Sequence, residues 1–147
     1  MNANNPLYEA DAAAWADFYA DVLRQRRFAD IDIEHLIEKL EDMGKSDRRI
    51  LESHLVVLLM HLLKWQYQSG LSCYSRKLSI ANARQSISDA LKDSLSLKPR
   101  FMQVSFIERT YSKARRLAAI ETGFDLLIFP EQCSYAGDQL LADWLPL

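Results

Sequence analysis

One segment of the sequence, from Ser46 to Gln68, constrains the fold more than any other. Apolar side chains occupy nearly every side of a helix drawn through it: Ile50, Leu51, Leu55, Val56, Val57, Leu58, Leu59, Met60, Leu62, Leu63 and Trp65. A helix that is apolar all round has to be covered by its neighbours, so the pattern predicts the central helix of an all-α fold. At 1.5 Å per residue this helix would be roughly 35 Å long, enough to cross a small domain.

The composition supports one helical domain. Of 147 residues, 49% are hydrophobic and 26% are charged, as is usual for globular proteins. Four glycines and four prolines are too few for a turn-rich all-β fold. We therefore predict an irregular bundle of five to six helices around the central helix. It forms a single helical domain over residues 1–147, with residues 1–8 and 146–147 loosely ordered.

Helical spacing predicts further helices on both sides of the central segment. Before it, one helix covers about Glu9–Arg27, and a second covers Ile33–Met43 with Asp32 as its N-cap. Gly44 either ends the second helix or lies within a longer one. The remaining helices are expected at about 79–95, from Ser96 to a stop at Gly123, and from 134 or 138 to 144, with an extended connection at 124–129.

The helix predicted over Ile33–Met43 is amphipathic. Its apolar stripe consists of Ile33, Leu36, Ile37, Leu40 and Met43, and its other face carries Glu34, Glu38, Glu41 and Asp42. The acidic face is expected to be exposed to solvent or to pair with basic residues elsewhere in the fold. No loop with the ligand spacing of a calcium site accompanies these carboxylates.

Charge is distributed unevenly along the chain. Residues 1–44 carry ten acidic and four basic side chains. Residues 45–121 carry six acidic and fourteen basic side chains, and residues 122–147 carry four acidic side chains and no basic one. The simpler interpretation is that the acidic ends neutralise the basic middle. The alternative is a nucleic-acid-binding face in the basic middle region 76–116, formed by Arg76, Lys77, Arg84, Lys98, Arg100, Arg109, Lys113, Arg115 and Arg116.

Polar side chains interrupt the central helix at His54, His61, Lys64 and Gln68, and their spacing places them on one face. They form either its least buried edge or the lining of a pocket, because buried polar groups need partners. Glu121 is expected to pair with Lys64 or an arginine; if that pair is buried, Glu121→Ala should lower the melting temperature by several degrees. The candidate polar cluster comprises His54, His61, Lys64, Trp65, Arg115, Arg116 and Glu121, and a small-ligand site at His61, Lys64 and Glu121 is one alternative function.

The sequence contains no Gly-rich phosphate loop, zinc-ligand spacing or nucleophile elbow. His54 and His61 are two helical turns apart, too far to hold one metal ion. Cys133 could pair with His35, His54 or His61 as a nucleophile, but nothing in the sequence brings these residues together. We therefore expect a non-catalytic protein without a metal or a cofactor.

The stretch at 58–68, Leu-Leu-Met-His-Leu-Leu-Lys-Trp-Gln-Tyr-Gln, is distinctive. With shorter stretches at 32–38, 43–46, 115–123 and 129–133, it resembles the bacterial family called domain of unknown function 29. The resemblance covers about Tyr8 to Pro146. It implies a small helical protein of the bacterial cytoplasm and brings no catalytic residues.

The sequence favours a protein-interaction module that binds a protein partner or forms a homo-oligomer. Exposed aromatic side chains mark interfaces, and the chain has more of them than its core requires: Tyr8, Trp15, Phe18, Tyr67 and Trp144. Residues 1–6 have neither the basic nor the apolar region of a secretory signal. A cytoplasmic location without membrane contact is therefore expected.

Overall fold

A computed structural model describes residues 6–70 and 73–147 of the chain. Its seven α-helices are α1 (Pro6–Ala10), α2 (Ala12–Arg24), α3 (Ile33–Tyr67), α4 (Cys73–Asp93), α5 (Lys98–Phe101), α6 (Val104–Thr122) and α7 (Gly137–Leu141). Short 3-10 segments lie at Phe28–Asp30, Leu95–Leu97 and Leu126–Ile128. These described residues include no strand, which confirms the all-α class. None of the described helices is long and apolar enough to cross a membrane.

The chain divides after Ser46 into two compact units. Unit 1, as far as it is described, is residues 6–46 and includes α1, α2 and the first turns of α3. Unit 2 is Asp47–Leu147. Because α3 continues from Ile33 to Tyr67, Gly44 lies within a helix rather than ending one. The single domain over residues 1–147 stays a prediction.

The predicted helix over Glu9–Arg27 is two helices in unit 1. Asp11 separates them: its backbone is extended, with φ −152°, and its side chain accepts a hydrogen bond from the Ala14 N–H as the N-cap of α2. A capping carboxylate satisfies an N–H that has no partner within the helix, so the chain starts a new helix here. Residues 6–8, expected to be loose, belong to α1, and residues 1–5 lie outside the described residues.

The core of unit 2 forms around α3, as the sequence predicts. Leu55, Leu59 and Leu62 have no exposed surface. Helices α4 to α7 and the C-terminal segment supply the side chains that cover this part of α3, among them Ile80, Ile87, Phe101, Phe106, Tyr111, Phe129 and Leu140. The central apolar helix is thereby confirmed.

The segment from Ser96 to Gly123, predicted as one helix, is divided into α5 and α6. Gln103 is extended, with φ −72° and ψ 131°, and precedes the first residue of α6. The break lies between two buried rings, Phe101 and Phe106, whose centroids are 6.2 Å apart. Gly123 ends α6 in the left-handed conformation, with φ 72°, as predicted.

The ends of the segments in unit 2 also differ from the expectations. Helix α4 begins at Cys73, several residues before 79. The connection at 124–129 contains a 3-10 turn, in which the Asp125 side chain accepts from the Leu127 N–H. Pro146 is buried, and its carbonyl accepts a hydrogen bond from Trp65 Nε1 at 3.2 Å. The expectation that residue 146 is loosely ordered is therefore wrong.

Candidate functional site

Three helices of unit 2 form a cleft of about 310 Å³ around the end of α3. Helix α3 contributes His61 and Lys64, and Gln68 follows directly after its last residue. Helix α4 contributes Ser75, Arg76 and Ser79, and α6 contributes Glu121. On α3 the spacing of three and four residues turns these side chains to one side. The alternative in which His61 and Lys64 line a pocket is the arrangement found here.

Lys64 and Glu121 form an ion pair across this cleft, with Nζ and Oε2 separated by 2.6 Å. The pairing proposed from the sequence is present, although it is less buried than the stability argument assumed. The Lys64 side chain is 19% exposed and that of Glu121 is 45% exposed. A pair so open to solvent contributes about 0–1 kcal/mol, so the loss of several degrees expected for Glu121→Ala is too large.

Arg76 holds the end of α3, a role that the sequence did not indicate. Its buried guanidinium donates through Nη1 to the carbonyls of Lys64 (2.8 Å) and Gln68 (2.5 Å), and through Nη2 to Gln68 Oε1 (2.6 Å). The last carbonyls of a helix lack partners within it and carry partial negative charge. An arginine twelve residues after Lys64 satisfies them, but only the turn between α3 and α4 brings it there.

The imidazole of His61 is partly withdrawn from water. Burial lowers its pKa, the charge of Lys64 lowers it further, and Glu121 acts in the opposite direction. His61 Nδ1 is buried without a hydrogen-bond partner among the described residues. The neutral imidazole is therefore favoured at pH 7. Its tautomer with the proton on Nε2 is favoured because a buried N–H without an acceptor is costly.

The other members of the predicted cluster do not line this cleft. Trp65 donates to Pro146, and Lys77 Nζ lies 5.7 Å from its ring centroid. Arg115 donates from Nε and Nη2 to the Phe129 carbonyl, at 3.1 and 3.0 Å. His54 is half-buried and Arg116 is exposed. The predicted cluster is therefore one cleft with three of the seven residues, and four residues elsewhere.

A second polar cluster, which the sequence reasoning missed, lies in unit 1. Asp32 Oδ2 accepts from Trp15 Nε1 at 3.2 Å and lies 2.7 Å from His35 Nδ1, while the Tyr8 ring stacks on His35 with centroids 3.9 Å apart. Burial raises the pKa of Asp32, but the hydrogen bonds of His35 and Trp15 outweigh this and hold the pKa below its usual value. Asp32 is also the predicted N-cap of α3, since Oδ1 accepts from the His35 N–H.

A comparison with models of known protein families identifies the family of this chain. The model of the family described as domain of unknown function DUF29 matches residues 7–145. The chain belongs to this family. No curated protein and no solved structure shows significant similarity to it.

Cys133, the nucleophile considered from the sequence, lies in the C-terminal segment of this DUF29 chain. Its Sγ is 3.5 Å from the Tyr135 carbonyl, and its N–H donates to both carboxylate oxygens of Glu108. Burial raises the pKa of the thiol to about 11, which disfavours the thiolate that a nucleophile requires. The described residues contain no group of His, Cys, Asp and Glu arranged to hold a metal ion.

Several basic side chains that could bind nucleic acid are engaged within unit 2. Arg76 and Arg115 donate to carbonyls, and Arg84 donates to the carbonyls of Gln139 and Leu140. Arg109 and Lys113 both pair with Glu52. Five of the nine basic side chains proposed for nucleic acid therefore already bond to carbonyls or carboxylates of the chain itself.

Four of the five residues of the predicted apolar stripe at the start of α3 are exposed, contrary to what its amphipathic pattern suggests, and the fifth, Leu36, is partly buried. Ile33, Ile37, Leu40 and Met43 are 58%, 47%, 60% and 67% exposed. Helix α3 presents His35 instead to the buried side of unit 1, where it contacts Tyr8 and Asp32. We call these four residues the apolar face of unit 1.

The aromatic residues considered as an interface are mostly covered. Phe18 is 50% exposed, but Trp15 is buried, and Tyr8, Tyr67 and Trp144 are partly buried. Tyr67 packs edge-on against Phe129, and Trp144 packs similarly against Tyr135. Of the five aromatic residues on which the interface was predicted, only Phe18 is exposed. The other exposed large apolar side chains are aliphatic or methionine, apart from Phe28 and Tyr74.

Proposed function

We propose that this chain is a protein-interaction module of the bacterial cytoplasm, and that the apolar face of unit 1 binds an amphipathic helix with basic flanks from another protein. The observation that carries this proposal is the exposure of Ile33, Ile37, Leu40 and Met43 on successive turns of one helix. Scattered apolar residues on a surface need no explanation, but a contiguous row marks an interaction site.

The free energy available from covering this face is substantial. Complete burial of an aliphatic side chain contributes about 1.5–3 kcal/mol, and each of the four is about half exposed. Covering all four would therefore contribute about 3–6 kcal/mol. A second helix fits a straight apolar row of this kind, because side chains spaced by three and four residues interlock between helices.

The charge beside the apolar face favours a basic partner. Glu34 and Glu41 lie three and four residues from Ile37, so they are its neighbours on the helix, and both are exposed. Residues 1–46 carry ten acidic and five basic side chains. A second copy that docked through the same face would bring two acidic rows together, which is unfavourable. Lysines or arginines beside the apolar residues of the partner would complement this charge.

A synthetic amphipathic helix of leucine and lysine tests the proposal. The fluorescently labelled peptide is titrated with the full chain at several salt concentrations, in parallel with a peptide in which glutamate replaces every lysine. We expect binding of the lysine peptide that weakens with salt, and much weaker binding of the glutamate peptide. The double variant Ile37→Ser/Leu40→Ser should weaken binding of the lysine peptide at least about tenfold.

The matched control is Leu117→Ser/Ile120→Ser, which removes two exposed apolar residues from α6. It should bind like the original chain. Equal binding of both peptides, or equal loss in both double variants, would contradict the proposal. Sedimentation is the second readout: a dimer that Ile37→Ser/Leu40→Ser dissociates would show that a second copy occupies this face, and would overturn the basic partner.

A further inference from the structure

We propose that the cleft between α3, α4 and α6 binds the oxyanion group of a small molecule, a phosphate or a carboxylate, with Lys64 and His61 as donors and Glu121 as a competing carboxylate. This site is independent of the apolar face of unit 1. The volume of about 310 Å³ is at the lower end of the range for small-molecule sites. The cleft would therefore accept a small metabolite.

Donors dominate the lining of the cleft. Lys64 has three N–H groups, of which one is directed to Glu121 at 2.6 Å. The favoured tautomer of His61 adds an Nε2–H donor, since Nδ1 is buried without a partner. From α4, Ser75 and Ser79 also line the cleft, although the Ser79 hydroxyl already donates to the Ser75 carbonyl at 3.0 Å. Hydrogen bonds from an ammonium group and an imidazole to an oxyanion are of the charge-assisted kind, which are the strongest in proteins.

The charges of the cleft also favour an anion. Among the described residues that line the cleft, Lys64 and Arg76 are positive and Glu121 is the only acidic side chain, while the neutral form of His61 is favoured. Arg76 directs its guanidinium to the carbonyls at the end of α3, so it contributes charge rather than a free donor. One net positive charge remains beside a partly desolvated imidazole, where attraction to an anion is screened less than at an open surface.

Glu121 already occupies the position that such an anion would take beside Lys64. Its side chain is 45% exposed, so it can turn toward solvent when a ligand oxyanion replaces it. An oxyanion would then compete with Glu121 for the ammonium group. This competition predicts that the two members of the ion pair have opposite effects: loss of Lys64 weakens binding of the anion, and loss of the Glu121 charge strengthens it.

The test is a titration of the full chain with inorganic phosphate or acetate, followed by the ring ¹H–¹⁵N correlations of the histidines. Sodium chloride at equal ionic strength is the control for salt. We expect the His61 ring signals to shift with one or both oxyanions but not with chloride, while the signals of His35 and His54 stay in place. The difference between phosphate and acetate identifies the chemical source of the oxyanion.

The variants Lys64→Gln and Glu121→Gln break the same ion pair and separate binding from a structural role. We expect Lys64→Gln to weaken oxyanion binding at least about tenfold and Glu121→Gln to strengthen it several-fold. Lys45→Gln, an exposed lysine of unit 1, is the charge control and should leave binding unchanged. Weakening in both cleft variants, or equal shifts with chloride, would overturn the proposal; so would the absence of any shift at His61.

Discussion

Replacing Arg76 by methionine should destabilise the protein more than replacing Lys45, Lys64 or Lys77. The variant keeps most of the side-chain volume but removes three hydrogen bonds, to the carbonyls of Lys64 and Gln68 and to the Gln68 side chain. A hydrogen bond to a charged group contributes about 1.5–3 kcal/mol when it is well shielded. Water can replace part of these bonds because the acceptors lie beside an open cleft, so we expect a total loss of about 2–4 kcal/mol.

This loss corresponds to a measurable change in the unfolding transition. For a chain of this length, each kcal/mol lowers the melting temperature by about 3 °C, so Arg76→Met should lower it by about 6–12 °C. Circular dichroism follows the helix content during thermal and urea unfolding. The melting temperature of Arg76→Lys should lie between those of the original chain and Arg76→Met, because an ammonium group keeps the charge but cannot span three acceptors in the same geometry.

The control is Lys77→Met, which changes the adjacent residue of α4. Lys77 is exposed and lies over the Trp65 ring, so its removal should cost less than about 1 kcal/mol. The reasoning would be refuted if the free energy of unfolding of Arg76→Met lay within about 0.5 kcal/mol of that of the original chain. It would also be refuted if Lys77→Met lowered the free energy of unfolding as much as Arg76→Met.

Three further predictions follow from burial and from the ionisation of single groups. Leu59→Ala should cost about 3–5 kcal/mol in urea unfolding, because it leaves a cavity in the core, whereas Val57→Ala on the exposed side of the same helix should cost less than about 1 kcal/mol. The pKa of Asp32 is lowered in the folded protein. The carboxylate therefore stabilises the fold above about pH 4, and this contribution is lost as the pH falls through its folded pKa. In a stability–pH profile Asp32→Asn should remove it, and an unchanged acid limb would contradict this account. The pKa of Cys133 is about 11 rather than 9, so in a Cys73→Ser background its reaction with a thiol reagent at about pH 8 should be about 100-fold slower than that of an ordinary thiol; a rapid reaction would contradict it.

The cleft shows how far side-chain spacing can predict a site. His61 and Lys64 share one face of α3, and Gln68 continues that face directly after the last helical residue; this depends only on helical geometry. The pairing of Lys64 with Glu121 follows from charge and was also predictable. Arg76 was not, because its role depends on the turn that follows α3. No local pattern distinguishes an arginine that satisfies helix-end carbonyls from one that faces solvent.

Periodicity was less informative about what each helix buries. The apolar residues from Leu51 to Leu63 surround α3 on several sides, so any compact arrangement has to cover most of them. All are buried except Val56, which is partly buried, and Val57, which is exposed. The stripe from Ile33 to Met43 occupies one side only. In unit 1 the side that carries His35 is buried instead, through the contacts of His35 with Asp32 and Tyr8.

The sequence by itself determined the helical class, the central position of α3, the N-cap at Asp32 and the stop at Gly123. These features depend on interactions within a few residues, or on an apolar excess so large that every packing satisfies it. Only the tertiary structure decided which face of α3 stays exposed in unit 1, which basic residues are engaged internally and which side chains line the cleft. These outcomes depend on how helices distant in sequence approach one another, and the free-energy differences between such arrangements are sums over many contacts that no single segment contains.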